Sequence, residues 1–211
     1  MERRNFLLSA GLLTAFGAMA QSGFGAIGNS FAQVPPGADN EPMKQMLLPA
    51  QTPLDHNGGM AIRTWVRSAM TNGLYSSVEC AVAPKTMGPA PHWHKELDEL
   101  MLVLEGTASI LMDKEIVHIE AGGWHLRPRM IKHTFFNASD KPLRFIDMYF
   151  NQPFEEYLER VFYELTPENG FPEGSEAKQK EHERLIEKFG LCSAPDAWDE
   201  RQEIAGRFGL K

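Results

Sequence analysis

Two histidines one residue apart, His92 and His94, lie in the segment PHWHKELDELMLVLEG that spans residues 91–106. A helix would turn their side chains about 200° apart, whereas a strand points residues i and i+2 to the same face. The pair therefore predicts the end of a strand that aims two imidazole rings at one shared ligand.

A carboxylate and a glycine follow this pair at informative distances. Glu99 lies five residues after His94, so in an unbroken strand it would face the opposite side. The chain must therefore turn between them, and a neighbouring strand begins at Glu99 and ends at Gly106. Glu96 and Asp98 are alternative carboxylates, but the strand that ends at Gly106 favours Glu99.

A second segment, GGWHLRPRMIKHTFFN, supplies His133, and Asn137 shares its face if the segment is extended. The remaining histidines lack such spacing, and we expect ordinary surface or core positions for His56, His118, His125 and His182.

These two segments resemble the two motifs of the cupin superfamily. The matching patterns are His92-x-His94-x4-Glu99-x6-Gly106 and Gly122-x5-Pro128-x-Met130-x2-His133-x3-Asn137. Met130 stands where the family usually has glycine, and the glycine that normally opens the first motif is displaced to Gly88. The resemblance covers about residues 60–150. It implies a small all-β jelly-roll barrel with a metal held by His92, His94, Glu99 and His133.

The chemistry of this ligand set agrees with the resemblance. Three neutral imidazoles and one carboxylate suit a divalent transition metal such as Fe, Mn, Ni, Cu, Co or Zn. One carboxylate offsets only part of the ion's charge, so the site favours an anionic or polarised substrate oxygen. Four protein ligands on an octahedral ion leave two positions for substrate, water or dioxygen.

The substrate pocket is expected on the inward faces of neighbouring strands. Alternation aims Met101 and Val103 inward on the strand that begins at Glu99, and Phe135 shares the face of His133. Two sets in the run LRFIDMYF compete for the inward face: Phe145, Asp147 and Tyr149, or Ile146, Met148 and Phe150. Asp147 or Tyr149, if inward, can donate or accept a proton. An aromatic interior fits an aromatic or low-polarity small molecule, although any barrel core needs the same residues.

The resemblance implies three candidate functions. The first is a metal-dependent dioxygenase similar to the quercetin-dioxygenase-like cupins, in which the metal binds an enolate or phenolate oxygen and dioxygen reacts with the activated ring. Glu99 then serves as both ligand and transient base. The second is a metal-dependent isomerase or lyase acting on a sugar or oxo-acid, and the third is a non-catalytic periplasmic ligand-binding cupin. The fold does not choose among them.

The elements that position these residues follow from hydrophobic periodicity. Short apolar or alternating runs over residues 60–150 predict an antiparallel barrel or sandwich, with MDKE and ASDKP as hairpin turns. An exposed sheet edge makes a homodimer the expected assembly.

A helical period replaces this alternation in residues 151–211, which predicts a helical extension. Helices are expected over Pro153–Leu165 and over Glu176–Phe189, and a weaker third after Pro195. Ser175 is the expected N-cap of the second helix, and Gly190 follows its end.

The first 59 residues have a different character. Arg3 and Arg4 precede an apolar, small-residue stretch that is uncharged until Asp39 and is too short and Ala/Gly-rich for a transmembrane helix. It resembles a twin-arginine export signal. Residues 1–32 are therefore expected to be a signal peptide, cleaved after Ala20 or Ala32, that directs the folded protein through the export machinery to the periplasm or outside. The alternatives are an uncleaved anchor or a disordered leader. Residues 33–59 are turn-rich and predict an arm.

Composition limits the remaining possibilities. The chain has 211 residues, 43% of them hydrophobic, and a formal net charge of −7, which suits one domain with an extension. The acidic balance, with no Lys/Arg cluster, argues against nucleic-acid binding. Cys80 and Cys192 can form a disulfide only if the fold brings them within reach. The alternating run around Cys80 predicts a small buried apolar residue instead.

Overall fold

A computed structural model describes residues 42–211. The predicted signal peptide, and the predicted arm as far as residue 41, lie outside the described residues. Residues 42–59 run without helix or strand and lead into the first strand at Met60.

The strands of the described residues form antiparallel sheets. In chain order they are β1 (Met60–Val66), β2 (Tyr75–Val82), β3 (Thr86–Met87), β4 (Trp93–His94), β5 (Asp98–Glu105), β6 (Thr107–Met112), β7 (Glu115–Glu120), β8 (Trp124–Arg127), β9 (His133–Asn137), β10 (Leu143–Phe150) and β11 (Leu191–Cys192). One sheet has the order β1-β2-β10-β5-β8, a second has the order β3-β9-β6-β7, and β11 pairs with β4. The predicted all-β architecture is confirmed.

The core lies between the two larger sheets. Every second residue of β10 is buried, from Leu143 to Tyr149, and the apolar members of this set pack with residues of both sheets. Phe145 of β10 meets Phe135 of β9 with their ring centroids 5.0 Å apart. The structure thus places Asp147 and Tyr149, rather than Ile146 and Met148, on the inward face of β10.

The two predicted hairpins have different outcomes. Asp113 and Lys114 join β6 to β7, which pair directly, so the MDKE hairpin is confirmed. The ASDKP hairpin is wrong, because β9 pairs with β3 and β6 whereas β10 pairs with β2 and β5. Residues 138–142 instead cross from one sheet to the other. The buried side chain of Asn137 ties this crossing to the end of β2, donating hydrogen bonds to the carbonyls of Val82, Ala83 and Lys141.

The C-terminal extension is helical, as predicted. It contains α1 (Phe154–Glu159), which continues as a π-helical segment (Arg160–Glu164), α2 (Glu176–Lys188) and α3 (Ala197–Phe208). Short 3₁₀ turns lie at Ser68–Thr71 and Pro167–Asn169. The Ser175 hydroxyl accepts a hydrogen bond from the Lys178 amide at 3.2 Å, which confirms the predicted N-cap of α2. Within residues 42–211, no helix combines the length and apolar character needed to cross a bilayer.

The extension packs onto the strand that carries the paired histidines. In the β11–β4 pairing, Leu191 lies opposite His94, and the Lys95 amide donates to the Gly190 carbonyl at 3.0 Å. Phe154 of α1 and Phe189 after α2 join the main hydrophobic core. The extension therefore covers the end of the domain where β4 ends.

The two cysteines do not form a disulfide. Cys80 is buried on β2, and burial raises the pKa of its thiol well above the ordinary value. It occupies the buried position that its alternating run predicts.

Candidate metal centre

Four side chains converge at one end of the domain. His94 lies on β4, Glu99 begins the inward face of β5, and His133 opens β9. His92 precedes β4 and is joined to His133 by reciprocal backbone hydrogen bonds of 3.0 and 2.8 Å. One nitrogen or carboxylate oxygen from each residue lies within 4.8 Å of the others. The structure thus brings together all four of the predicted ligands.

This group is enclosed by protein. His94 is 0% exposed, His133 1% and Glu99 4%, while His92 is half-buried. The alternative carboxylates lie elsewhere, because Glu96 is exposed and Asp98 accepts hydrogen bonds from the backbone and side chain of Arg129. Glu99 is therefore the carboxylate at the centre.

The orientation of the rings fits a metal ion. Nδ1 of His92 and Nδ1 of His133 each donate to a backbone carbonyl at 2.9 Å, Ala90 and Ile131 respectively, which leaves the Nε2 lone pairs free for a ligand. Nε2 of His94 and of His133 are buried and face the Glu99 carboxylate, 2.9 Å from Oε1 and 3.5 Å from Oε2 respectively. A neutral His133 that donates from Nδ1 has only a lone pair at Nε2, which faces the lone pairs of the carboxylate. A divalent transition metal bound between these atoms would accept lone pairs from all of them.

The electrostatics of the site keep His92 and Glu99 in their metal-binding protonation states. Burial, with the nearby charges of His133 and His94, lowers the pKa of His92 to about 3, so this imidazole is neutral at physiological pH. Burial opposes ionisation of Glu99, but the Arg127 guanidinium and the two histidines outweigh it and hold the pKa of Glu99 well below the ordinary range. A neutral imidazole and an ionised carboxylate are the forms that bind metals.

Arg127 is a site residue that the sequence reasoning missed. It ends β8 opposite Glu99 and is 1% exposed. Its Nη2 lies 2.9 Å from Glu99 Oε2 and 2.5 Å from Asp147 Oδ1. Burial disfavours the guanidinium charge, but the two carboxylates outweigh this and raise the pKa of Arg127. The sequence signal that could have identified Arg127 is the alternation along WHLR. Arg127 lies two positions after His125, so the two side chains point to the same face of the strand.

The predicted pocket residues occupy different depths. Asp147 lies opposite Met101, and Tyr149 lies opposite Glu99 in the β10–β5 register. The Tyr149 hydroxyl donates to Asp147 Oδ2 at 3.4 Å. Burial raises the pKa of Tyr149 well above its ordinary value, and it also raises the pKa of Asp147. The register therefore places Tyr149 next to Glu99, and Asp147 and Met101 two residues further from it along their strands.

Val103 and Phe135 lie further from the four ligands. Val103 is four residues along β5 from Glu99, roughly 13 Å at strand spacing. It belongs to the main core. Phe135 is the next residue on its face after His133 and packs on Phe145. Both side chains therefore lie deeper in the domain than Met101, Asp147 and Tyr149.

Phe154 is the second site residue that sequence reasoning missed. Its ring meets His94 edge-to-face with centroids 4.9 Å apart and lies 5.1 Å from the Tyr149 ring. The helical period identified Phe154 as an apolar position, but only the docking of α1 places it over a metal ligand.

The two departures from the motif pattern are absorbed locally. Met130 adopts φ +64°, the left-handed conformation that glycine usually provides, and its amide donates to the His94 carbonyl at 2.8 Å. The displaced Gly88 lies against β9, where a Cβ would lie 2.1 Å from the Phe135 carbonyl oxygen, so this position also requires glycine. The turn geometry of the second motif is therefore retained.

Comparison with known families agrees with this geometry. Residues 78–149 match the family Cupin_2, described as a cupin domain. This stretch of the chain thus resembles a cupin domain. The antiparallel sheets and the terminal helices are consistent with a jelly-roll cupin with a helical extension, as the sequence predicted. The matched residues also include a His/Glu group able to hold a metal.

Some solved structures are similar to part of this chain at low sequence identity. KdgF from Halomonas sp. is 16% identical with a TM-score of 0.42, over 49% of this chain and 88% of that chain. The Cupin_2 domain of an XRE family transcriptional regulator from Enterobacter cloacae is 17% identical with a TM-score of 0.39, over 44% and 96%. A sugar phosphate isomerase of the cupin superfamily from Silicibacter pomeroyi DSS-3 is 20% identical with a TM-score of 0.39, over 46% and 62%. No activity or substrate is carried over from them. No curated protein matches the sequence significantly.

Proposed function

We propose that this protein is an exported, metal-dependent oxidoreductase of the dioxygenase type that acts on a small aromatic or enol-type substrate. The observation that carries the proposal is the group of three histidines and Glu99, with donor atoms within 4.8 Å of one another, beneath aromatic side chains. A bound redox-capable metal would supply Lewis-acid polarisation of a substrate oxygen and the means to engage dioxygen.

The charges of the site support an oxygen-anion substrate. A divalent metal and Arg127 together outweigh the negative charges of Glu99 and Asp147, so the interior stays net positive. Phe154 and Tyr149 provide aromatic surfaces beside the histidines. A planar molecule that presents an enolate or phenolate oxygen suits both properties.

The two buried carboxyl groups suit different roles. The lowered pKa of Glu99 suits a permanently ionised ligand and makes it a weak base, whereas the raised pKa of Asp147 makes its carboxylate the stronger base of the two. Asp147 Oδ2, next to the Tyr149 hydroxyl, is therefore our candidate for the atom that accepts a substrate proton. The base role that the resemblance implies for Glu99 remains a prediction.

One observation favours a second candidate, the metal-dependent isomerase or lyase. Arg127, Asp147 and Tyr149 form a buried polar chain next to the metal group. Such a chain can move protons on a sugar or oxo-acid without any need for oxygen.

Metal content and oxygen uptake test the proposal together. Protein purified without chelator is analysed for metals and for oxygen consumption with phenolic and enolic compounds, alongside His94→Ala and the surface control His118→Ala. We expect about one Fe, Mn, Ni, Cu or Co per chain in the wild type and the control, and loss of metal and activity in His94→Ala. Stoichiometric zinc without oxygen uptake would favour the second candidate. If no variant and no wild-type protein binds metal, even after reconstitution, the assignment of the metal centre is wrong.

Export is proposed from the twin arginines of the leader. We expect the periplasmic protein to begin after Ala20 or Ala32, and a variant with Arg3→Lys and Arg4→Lys to stay in the cytoplasm with its leader attached. N-terminal sequencing of each fraction checks this. An intact leader on periplasmic or membrane-bound wild-type protein would contradict cleavage.

A further inference from the structure

One nitrogen of Arg127 serves two carboxylates. Its Nη2 lies 2.9 Å from Glu99 Oε2 and 2.5 Å from Asp147 Oδ1, and all three side chains are buried. Removing the guanidinium would leave two buried carboxylates without their shared cation, whereas removing one carboxylate leaves a neutral pair. The guanidinium and the two carboxylates therefore behave as one unit, and the Tyr149 hydroxyl extends it at Asp147 Oδ2.

The two oxygens of Glu99 have different partners. Oε1 lies 2.9 Å from Nε2 of His94, while Oε2 lies beside the Arg127 nitrogen and 3.5 Å from Nε2 of His133. The ion pair at 2.9 Å draws Oε2 toward the guanidinium and so restricts the rotation of the carboxylate plane. Such outer partners set how a carboxylate presents itself to a metal.

We infer that Arg127 is a positioning residue of the metal centre. It holds Oε2 of Glu99 so that Oε1 is the oxygen presented with the histidines. It also holds Asp147 away, so that a second carboxylate does not become a ligand. The inference rests on the proposed function only in requiring that a metal binds at this group.

The test needs variants that separate the effect of the net charge near Glu99 from the effect of Arg127 on the position of the Glu99 carboxylate. Arg127→Met alone would strand the charge of Asp147 in the core, which threatens folding and alters the pull on a cation. Asp147→Asn is therefore used as the background, because adding Arg127→Met to it keeps the local charge of the wild type. Arg127→Lys in the same background retains one cationic nitrogen, and one nitrogen is all that the present contacts use.

Cobalt(II) is the probe, because its visible bands report coordination number and geometry independently of catalysis. We expect Asp147→Asn to keep the wild-type cobalt spectrum. Adding Arg127→Met changes the band positions and intensities and weakens Co²⁺ binding by roughly tenfold, while Arg127→Lys restores the wild-type spectrum. Arg129→Met, which removes an ion pair between exposed side chains two residues away, leaves spectrum and affinity unchanged.

The outcomes are distinguishable. Unchanged spectrum and affinity in the Asp147→Asn/Arg127→Met protein would overturn the inference while leaving the metal centre intact, as would failure of Arg127→Lys to restore the spectrum. A wild-type protein that binds no cobalt would overturn the metal centre, and with it both the proposed function and the role of Arg127.

Discussion

At the scale of single residues, two buried carboxylates of the large sheet each meet several cationic or polar partners. Glu99 has Arg127 and the histidines, and on the same sheet Glu79 accepts hydrogen bonds from three other side chains. Arg63 Nη2 lies 2.5 Å from Glu79 Oε2, Arg144 Nη1 lies 3.0 Å from Oε1, and the Trp65 indole donates at 2.8 Å. Glu79 therefore ties β1 and β10 to β2 through side chains as well as through the backbone ladder.

This arrangement gives a pH-dependent stability. Burial opposes the charge of Glu79, but the hydrogen bonds from Arg63, Trp65 and Arg144 outweigh it, so its folded pKa lies below the ordinary value of 4.5. The stabilisation is present above the unfolded pKa and is lost as the pH falls through the folded pKa. We expect Glu79→Gln to lower the free energy of unfolding by about 3 kcal/mol at pH 7, a deficit that shrinks below about pH 4.5.

Chemical denaturation of both proteins across this pH range measures the deficit. Glu105→Gln is the control, because the Glu105 side chain is 53% exposed and the substitution removes only one ion pair, a 3.5 Å contact with Arg144. A deficit for Glu79→Gln that stays constant or grows toward acid pH would contradict the prediction.

At the scale of elements, the extension packs over the four candidate metal ligands. β11 pairs with the histidine strand β4, and α1 lays Phe154 over His94. Phe154 also stacks on Tyr157 with ring centroids 4.9 Å apart, so the cover is continuous with the aromatic packing of the helices. Entry to the group therefore requires either movement of α1 or approach past the half-buried His92.

Phe154→Ala tests this cover. We expect a loss of about 3–5 kcal/mol in the free energy of unfolding, since an aromatic core side chain is removed. We also expect a bound metal to be extracted faster by a chelator, because the ring no longer shields His94. Stopped-flow extraction with a chromogenic chelator measures the rate under conditions where both proteins are folded.

Phe208→Ala is the matched control for this experiment. Phe208 packs on Phe136 at 5.0 Å in the second hydrophobic cluster, away from the histidines. We expect it to destabilise the protein without changing the extraction rate. Equal rates in the wild type and Phe154→Ala would show that Phe154 does not control access.

At the scale of the whole molecule, the outer face of the five-stranded sheet carries apolar side chains over β8, β5 and β10. Two cross-strand rows run over β8, β5 and β10: Leu126, Leu100 and Met148, and then Trp124, Leu102 and Ile146. β8 lies at the edge of its sheet. The edge strand β7 of the other sheet carries exposed Glu115, His118 and Glu120, which discourage pairing, whereas β8 has no acidic residue.

We therefore expect the predicted homodimer to form through β8 and this face, since an antiparallel edge is self-complementary about a twofold axis. Trp124 is 53% exposed, and Trp124→Glu should convert the dimer to a monomer by burying a charge at the contact. Sedimentation velocity of the wild type and the variant measures the assembly. Trp198→Glu, at a 65% exposed position on α3, should remain dimeric. A monomeric wild type, or a dimeric Trp124→Glu protein, would contradict this interface.

The features that the sequence alone predicted correctly are mostly those that local backbone geometry determines. Alternation along a strand paired His92 with His94, because it fixes which residues share a face. The alternating runs and the later helical period likewise identified the sheets and the extension, including the N-cap at Ser175. Each of these depends on residues within one turn or one strand of each other, whereas the full set of four ligands, which does converge, came from the resemblance to the two cupin motifs.

Tertiary structure decided everything that depends on which elements lie side by side. The β10 register placed Asp147 inward, and the β8–β5 register placed Arg127 against Glu99. Residues 138–142 have the turn chemistry of a hairpin, yet they cross between sheets because Asn137 is tied to β2. Phe154 lies about 60 residues from His94 in the chain and reaches it through the docking of α1. Strand pairing and helix docking join residues that no local pattern connects, and they determine how this metal centre is enclosed and charged.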